Sequence, residues 1–174
     1  TVTVANVNDV PTDIALSNNI VAEGLLAGTT VGTFSTIDPD LSDTFTYSFC
    51  GGPDDGSFQI AGNILQTAAV LDADIQNTFN ICIHSQDAGG LFLEEQFVIS
   101  ITNVNDAPII TLQSIAKNID ESSPLFFNTT NASLITVSDP DAGTDAVQVT
   151  LSVTQGTLTL RAIGGLTFTT GDGT

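Results

Sequence analysis

The chain of 174 residues contains no Trp or Met, one Tyr, one His and only two basic side chains, Lys117 and Arg161. Residues 1 to 116 contain no Lys or Arg at all. Because proteins bind nucleic acids through clustered basic side chains, the composition excludes nucleic acid as a partner. No stretch reaches the roughly 18 consecutive apolar residues of a membrane span, so we also expect no direct membrane insertion.

The sequence also lacks a basic start followed by an apolar segment, the mark of a secretory signal peptide. It opens with alternating Thr and Val, typical of a strand already in progress. We therefore expect a piece of a longer protein.

A single His offers little for catalysis, and we expect acids at domain ends rather than in a substrate cleft. The prediction is that the chain is not an enzyme.

Carboxylates are abundant instead. Twenty Asp and Glu give a formal net charge of -18, yet 41% of the residues are hydrophobic, so the chain should fold. The acids occur in short clusters that no basic residue can neutralise. They either stay solvated or converge on divalent cations, and calcium favours sites rich in oxygen ligands.

Short alternating runs such as TVGTFST, TFTYSFC and TFNICIHS are separated by Gly, Pro, Asn and Asp. This pattern, without a useful helical stripe, predicts an all-β protein built of β-sandwiches. About seven strands fit between Pro11 and Asn103. That is the size of one sandwich domain.

A polar heptapeptide occurs twice, as ANVNDVP at residues 5–11 and TNVNDAP at residues 102–108. Later motifs repeat too: Glu121 echoes Glu23, and DPDA at 139–142 echoes DPDL at 38–41. A repeat of this length indicates tandem modules. The predicted boundaries are residues 1–10 for the end of a preceding module and its linker, 11–106 for one sandwich, and 107–174 for a second, incomplete sandwich.

Five motifs in order resemble those of cadherin repeats: the NVND linkers, AEG at Glu23, DPD at Asp38, LDAD at Asp72 and DAGG at Asp87. The resemblance is to cadherin-like repeat domains of the kind found in large bacterial surface adhesins. It implies tandem immunoglobulin-like Greek-key β-sandwiches with calcium at the linkers between them.

The resemblance assigns ligands residue by residue. For the central linker it implies Glu23, Asp72, Asp74, Asn103, Asn105 and Asp106, with Asp139 and Asp141 from the second module. For the entering linker it implies Asn8, Asp9, Asp38, Asp40 and Asp87. Asp74 stands where the family usually has Glu, and both NVND copies lack the last Asn of the family motif. Asp54 and Asp55 match no motif, and we expect them to be solvated loop residues.

Strand parity places Phe45, Tyr47 and Phe49 toward the core and Cys50 outward, and by the same rule Cys82 points outward. If their strands are neighbours in one sheet, as in cadherin-like sandwiches, these two cysteines form a cross-strand disulfide. Two separate thiols remain the alternative. A disulfide would fit an oxidising, extracellular setting.

The sequence therefore predicts a calcium-binding extracellular adhesion or display module, secreted or at the cell surface, in which calcium stiffens a tandem array. Its expected partners are adjacent repeats of the same chain, homophilic protein contacts or surface polysaccharide. One alternative is a carbohydrate-binding module. Another is a fibre subunit whose incomplete second sandwich is completed by a strand from another chain.

Overall fold

A computed structural model describes residues 7–113, 118, 123–130, 133–160 and 164–168. Lys117, Glu121 and Arg161 lie outside the described residues. The chain divides into two compact units, Thr1–Asp106 and Ala107–Thr174. This division falls where the repeat predicted a module boundary, while the nature of residues 107–174 as a second sandwich stays a prediction.

Within residues 7–106, the described part of the first unit, there are eight strands and one short 3₁₀ turn. The strands are β1 (Asp13–Leu16), β2 (Ile20–Ala22), β3 (Thr30–Ile37), β4 (Thr46–Phe49), β5 (Phe58–Ala61), β6 (Ile64–Thr67), β7 (Thr78–Gln86) and β8 (Phe92–Thr102). The 3₁₀ turn is Asp55–Ser57. The sequence predicted about seven strands, and the additional one is the three-residue β2, which forms where the chain changes from one sheet to the other.

These strands form two four-stranded sheets, with the orders β1-β3-β6-β5 and β2-β8-β7-β4. All neighbours are antiparallel except β2, which runs parallel to β8 with Ile20 opposite Ser100 and Ala22 opposite Thr102. The longest pairing joins β7 to β8, from Thr78 opposite Ser100 to Gln86 opposite Phe92. The predicted all-β sandwich is confirmed.

Alternation along the strands explains the core between the sheets. In β7, Phe79, Ile81 and Ile83 are buried, as the sequence predicted, while their neighbours face outward. Phe34 of β3 is 1% exposed and stacks on Tyr47 with ring centroids 5.4 Å apart. The buried apolar set is Ile14, Val21, Val31, Phe34, Phe58, Leu65, Leu71, Phe79, Ile81, Ile83, Ile99 and Ile101.

Loops gather at the two ends of this sandwich. We call one end the entering pole: it comprises residues 7–11, the loop from Asp38 to Phe45 and the turn from Asp87 to Leu91. The exiting pole comprises Glu23 after β2, the loop from Ala68 to Asn77, and residues 103–106. Successive antiparallel strands end at opposite poles, so motifs far apart in the sequence meet at one pole.

In the second unit the described strands are β9 (Ile109–Leu112) and β10 (Ile135–Ser138), which pair antiparallel with Ile135 opposite Leu112. No helix in the described part of the chain is long and apolar enough to cross a membrane.

Candidate metal sites at the poles

The DPD loop of the entering pole is folded by its own carboxylates. The Asp40 backbone N–H donates to Oδ1 of Asp38 at 2.8 Å, which is a local Asp turn. Oδ2 of Asp40 accepts the backbone N–H of Asp9 at 2.7 Å. Asp40 is 9% exposed, so the linker is attached to the sandwich through a buried carboxylate.

Asp87 of the DAGG turn lies at the same pole and is 5% exposed. Its Oδ1 accepts the Leu91 N–H at 2.9 Å, and its Oδ2 accepts the Asn8 side-chain amide at 3.0 Å. Burial alone would raise the pKa of Asp87, but hydrogen bonds from Asn8, Leu91 and the backbone of the turn outweigh it and lower that pKa. The carboxylate is thus held in its charged form.

Asp43 is a further acid of this pole, and none of the five motifs includes it. One carboxylate oxygen each of Asp38, Asp43 and Asp87 lie within 4.8 Å of one another. The pKa of Asp43 is raised, first by burial and then by the charges of Asp40, Asp38 and Asp87. The signal in the sequence was the third aspartate of DPDLSD, which stands outside the family motif.

Two oxygens of this cluster, Oδ2 of Asp38 and Oδ2 of Asp43, are buried and have no hydrogen-bond partner among the described residues. Buried polar atoms in proteins are nearly always paired. Residues 1 to 106 contain no Lys or Arg that could neutralise them. The arrangement therefore fits a hard cation with oxygen ligands, such as calcium.

At the exiting pole, Glu23 connects two segments that are remote in sequence. Its Oε2 accepts the Ala73 N–H, and its Oε1 accepts the Val104 N–H at 2.6 Å. Glu23 is 8% exposed. Its carboxylate thereby ties the LDAD loop and the outgoing NVND segment to the end of β2.

The remaining acids of this pole are exposed and face each other across the same two segments. Asp72 Oδ1 accepts the N–H of Asp74 at 2.9 Å, and Asp74 Oδ1 accepts the Asn103 side-chain amide at 3.2 Å. Carboxylate oxygens of Asp74 and Asp106 lie within 4.8 Å of each other. The structure thus brings together four of the six residues that the resemblance assigned to this side of the linker, Glu23, Asp74, Asn103 and Asp106, and Asp72 lies in the same loop.

A shallow cavity of about 120 Å³ opens beside these side chains. It is lined by Glu23, Gly24, Val70, Leu71, Asp72 and Asp106. Asn105 is not among these lining residues, and its side-chain amide donates to the carbonyl oxygen of Asp106 at 2.9 Å.

In the second unit, Asp139 folds its DPD loop in the same way as Asp38 does in the first. Its Oδ1 accepts the N–H groups of Asp141 and Ala142, each at 3.1 Å. Both DPD copies therefore have the same local turn.

Comparisons with solved structures agree with this architecture. No protein-family model matches the chain, and the search of curated proteins found no match. The EC1–4 fragment of PcdhgB3 is 27% identical with a TM-score of 0.51, covering 79% of this chain and 34% of that one. The EC1–2 fragment of human protocadherin-24 is 22% identical with a TM-score of 0.54, covering 76% of this chain and 62% of that one. The fold is a cadherin-like β-sandwich. The chain spans about a third of the first matched chain and about three fifths of the second.

The cadherin-like unit also carries a disulfide between Cys50 and Cys82, with Cα atoms 5.0 Å apart. The predicted pairing is confirmed, and the reason is register: β4 and β7 are neighbours, and Phe49 stands opposite Ile83, so the next pair is Cys50 and Cys82. The alternative of two separate thiols is wrong.

The expectation that Asp54 and Asp55 are merely solvated loop residues is also wrong. Asp55 accepts the N–H groups of Gly51, Gly52 and Cys82, at 3.0, 2.7 and 2.9 Å. Asp54 accepts the Asn80 N–H at 2.6 Å. Both carboxylates accept backbone N–H groups on the edge of β7 that extends past the end of β4, opposite the edge paired with β8, which explains two acids beside the disulfide.

Proposed function

We propose that this chain is a calcium-binding module of an extracellular adhesion or surface-display protein, in which calcium at the poles restricts motion between consecutive modules. The ligands are those assigned above, with Asp139 and Asp141 completing the central site. The role is mechanical rather than catalytic. An array with bound calcium projects from a surface, because the carboxylates no longer repel each other and the linkers no longer bend freely.

The observation that carries the proposal is the convergence of acids at the entering pole. Carboxylates from the DPD and DAGG motifs, which are separated by about half of the sandwich in sequence, lie within reach of one cation. Like charges at such distances repel unless something neutralises them, and the repulsion grows with burial. A divalent cation removes this repulsion and satisfies the buried oxygens at once.

The matched structures are protocadherin fragments, and one of them is above a quarter identical to this chain. Together with the disulfide, which forms and persists in oxidising compartments, they support an extracellular setting. The bacterial context remains part of the proposal, as do homophilic contacts, surface polysaccharide and neighbouring repeats as partners.

The carbohydrate-binding alternative would require an exposed aromatic platform. The one Tyr of the chain, Tyr47, packs against the core, and its hydroxyl hydrogen-bonds to Thr36 at 3.0 Å.

Thermal melting and small-angle scattering of the whole chain, in calcium and in excess EGTA, test the proposal. With an affinity in the range of extracellular modules, about 10 mM calcium should stabilise each occupied site by roughly 1 to 3 kcal/mol. The radius of gyration should be larger and the scattering more rod-like in calcium. An identical melting temperature and identical scattering in both buffers would refute it.

A pair of variants distinguishes the loss of a proposed linker ligand from the loss of one negative charge in general. Asp106→Ala should weaken the calcium response of the scattering while leaving the first unit folded. Asp145→Ala removes the same charge from an exposed position of the second unit and should behave like the unmodified chain.

A further inference from the structure

We propose that the carboxylate of Asp43 is an additional metal ligand at the entering pole, toward a hard divalent cation such as calcium. The inference rests on the proposed function, because it extends the ligand set of the same site. It adds a residue that no motif of the resemblance assigns, in the loop between the DPD motif and β4.

Position in the loop brings Asp43 to the cluster. The Asp43 backbone N–H donates to the carbonyl oxygen of Asp40 at 3.2 Å, which turns the chain back after the DPD motif. This turn directs its side chain toward Asp38 and Asp87, so that one carboxylate oxygen of each of the three residues lies within 4.8 Å of the others. Three carboxylates from two separate loops then face one small volume.

The acids of this pole differ in whether their carboxylate oxygens have hydrogen-bond donors. Asp40 accepts from the Asp9 backbone, and Asp87 accepts from Asn8 and Leu91. By contrast, Oδ2 of Asp38 and Oδ2 of Asp43 are buried and without a donor among the described residues. Two such oxygens in one cluster indicate a ligand that is not a hydrogen-bond donor of the protein, since orphaned buried oxygens cost stability.

As a metal ligand, Asp43 should affect the folded chain in opposite directions with and without a bound cation. Without it, Asp43 adds a further negative charge beside Asp38, Asp40 and Asp87 and should destabilise the folded chain. With it, the same carboxylate contributes a ligand and should strengthen binding. A residue that merely stabilised the loop would affect both states in the same direction.

The experiment is a calcium titration of the whole chain followed by isothermal calorimetry and by melting temperature, with EGTA as the metal-free baseline. Asp43→Asn is compared with Asp13→Asn, which removes the same charge from an exposed position of β1 near this pole. We expect Asp43→Asn to raise the dissociation constant of one site about tenfold or more, while its melting temperature in EGTA equals or exceeds that of the unmodified chain. Asp13→Asn should leave both unchanged.

The outcomes are distinguishable. If the unmodified chain binds no calcium, the proposed function fails and this inference fails with it. If the unmodified chain binds calcium and Asp43→Asn binds it as Asp13→Asn does, only the inference is overturned. A melting temperature of Asp43→Asn in EGTA below that of the unmodified chain also overturns it, because the side chain would then support the fold without a cation.

Discussion

The side-chain amide of Asn8 donates a hydrogen bond of 3.0 Å to Oδ2 of Asp87, which lies 79 residues further along the chain. Asn8 belongs to the incoming linker and Asp87 to the turn before the last strand of the sandwich. This contact fixes the linker on the pole before any metal is considered. It also places an amide and a carboxylate beside the cluster of Asp38 and Asp43.

Gly89 should be required for the hydrogen bond from Asn8 to Asp87. A Cβ atom added to Gly89 would lie 2.5 Å from Cγ of Asn8, so the amide would have to move away from Asp87. Gly89→Ala should weaken calcium binding at the entering pole roughly tenfold, as the loss of an outer partner of a metal ligand does. Isothermal calorimetry measures this change in calcium affinity. Gly56→Ala is the matched control because a Cβ there meets nothing within 4 Å; equal affinities for the two variants would contradict the prediction.

Glu23→Gln should destabilise the first unit even without calcium. Each carboxylate oxygen of Glu23 accepts one backbone N–H, and the amide NH₂ of Gln would face one of these donors instead. The expected loss is about 1 to 3 kcal/mol of unfolding free energy, from urea denaturation in EGTA. Glu94→Gln, at an exposed carboxylate that faces His84, should lose far less. A Glu23→Gln variant as stable as Glu94→Gln would show that these two hydrogen bonds contribute little.

Removing the disulfide should lower stability because it closes a loop with a sequence separation of 32 residues. In the chain-entropy model a loop of this length contributes about 3 to 4 kcal/mol. The double variant Cys50→Ser with Cys82→Ser should therefore melt roughly 10 °C or more below the oxidised chain. The reduced unmodified chain is the control and should melt close to the variant. A variant with the same melting temperature as the oxidised chain would argue against the entropic contribution of the disulfide.

The metal-free chain should show opposite pH effects at Asp43 and Asp87. The pKa of Asp43 is raised above its ordinary value of 3.8, so the folded state binds its proton more tightly than the unfolded state, and stability falls as pH rises through that interval. The pKa of Asp87 is lowered, so its contribution is present above 3.8 and is lost as pH falls through the folded value.

In EGTA at about pH 7, Asp43→Asn should therefore be more stable than the unmodified chain and Asp87→Asn less stable. Both differences should shrink as the pH falls below 3.8, as measured by urea midpoints. Differences that persist unchanged in acid would assign the effects of these substitutions to packing rather than to charge.

The sequence predicted the sandwich because alternation in runs such as TFNICIHS reports burial directly. The resemblance to cadherin repeats grouped DPD with DAGG, and LDAD with Glu23, and the alternating directions of successive strands allow that grouping. Asp43 could not be found in this way: its role depends on how the DPDLSD loop turns back, which no period in the sequence records. Asp54 and Asp55 were misjudged for a related reason, since an Asp in a Gly-rich loop has the same local pattern whether it is solvated or caps a neighbouring strand.

The parallel pairing of β2 with β8 has a mechanical consequence. If a module is pulled by its two ends, tension on the incoming segment reaches β2 backward through β1, while tension on the outgoing segment draws β8 forward. Parallel neighbours drawn in opposite directions are loaded in shear, so their hydrogen bonds must break together rather than one after another. The Glu23 carboxylate stands directly beyond this pair and accepts the Val104 N–H, so the same side chain that faces the exiting pole also secures the first bond that a force on the outgoing segment would reach.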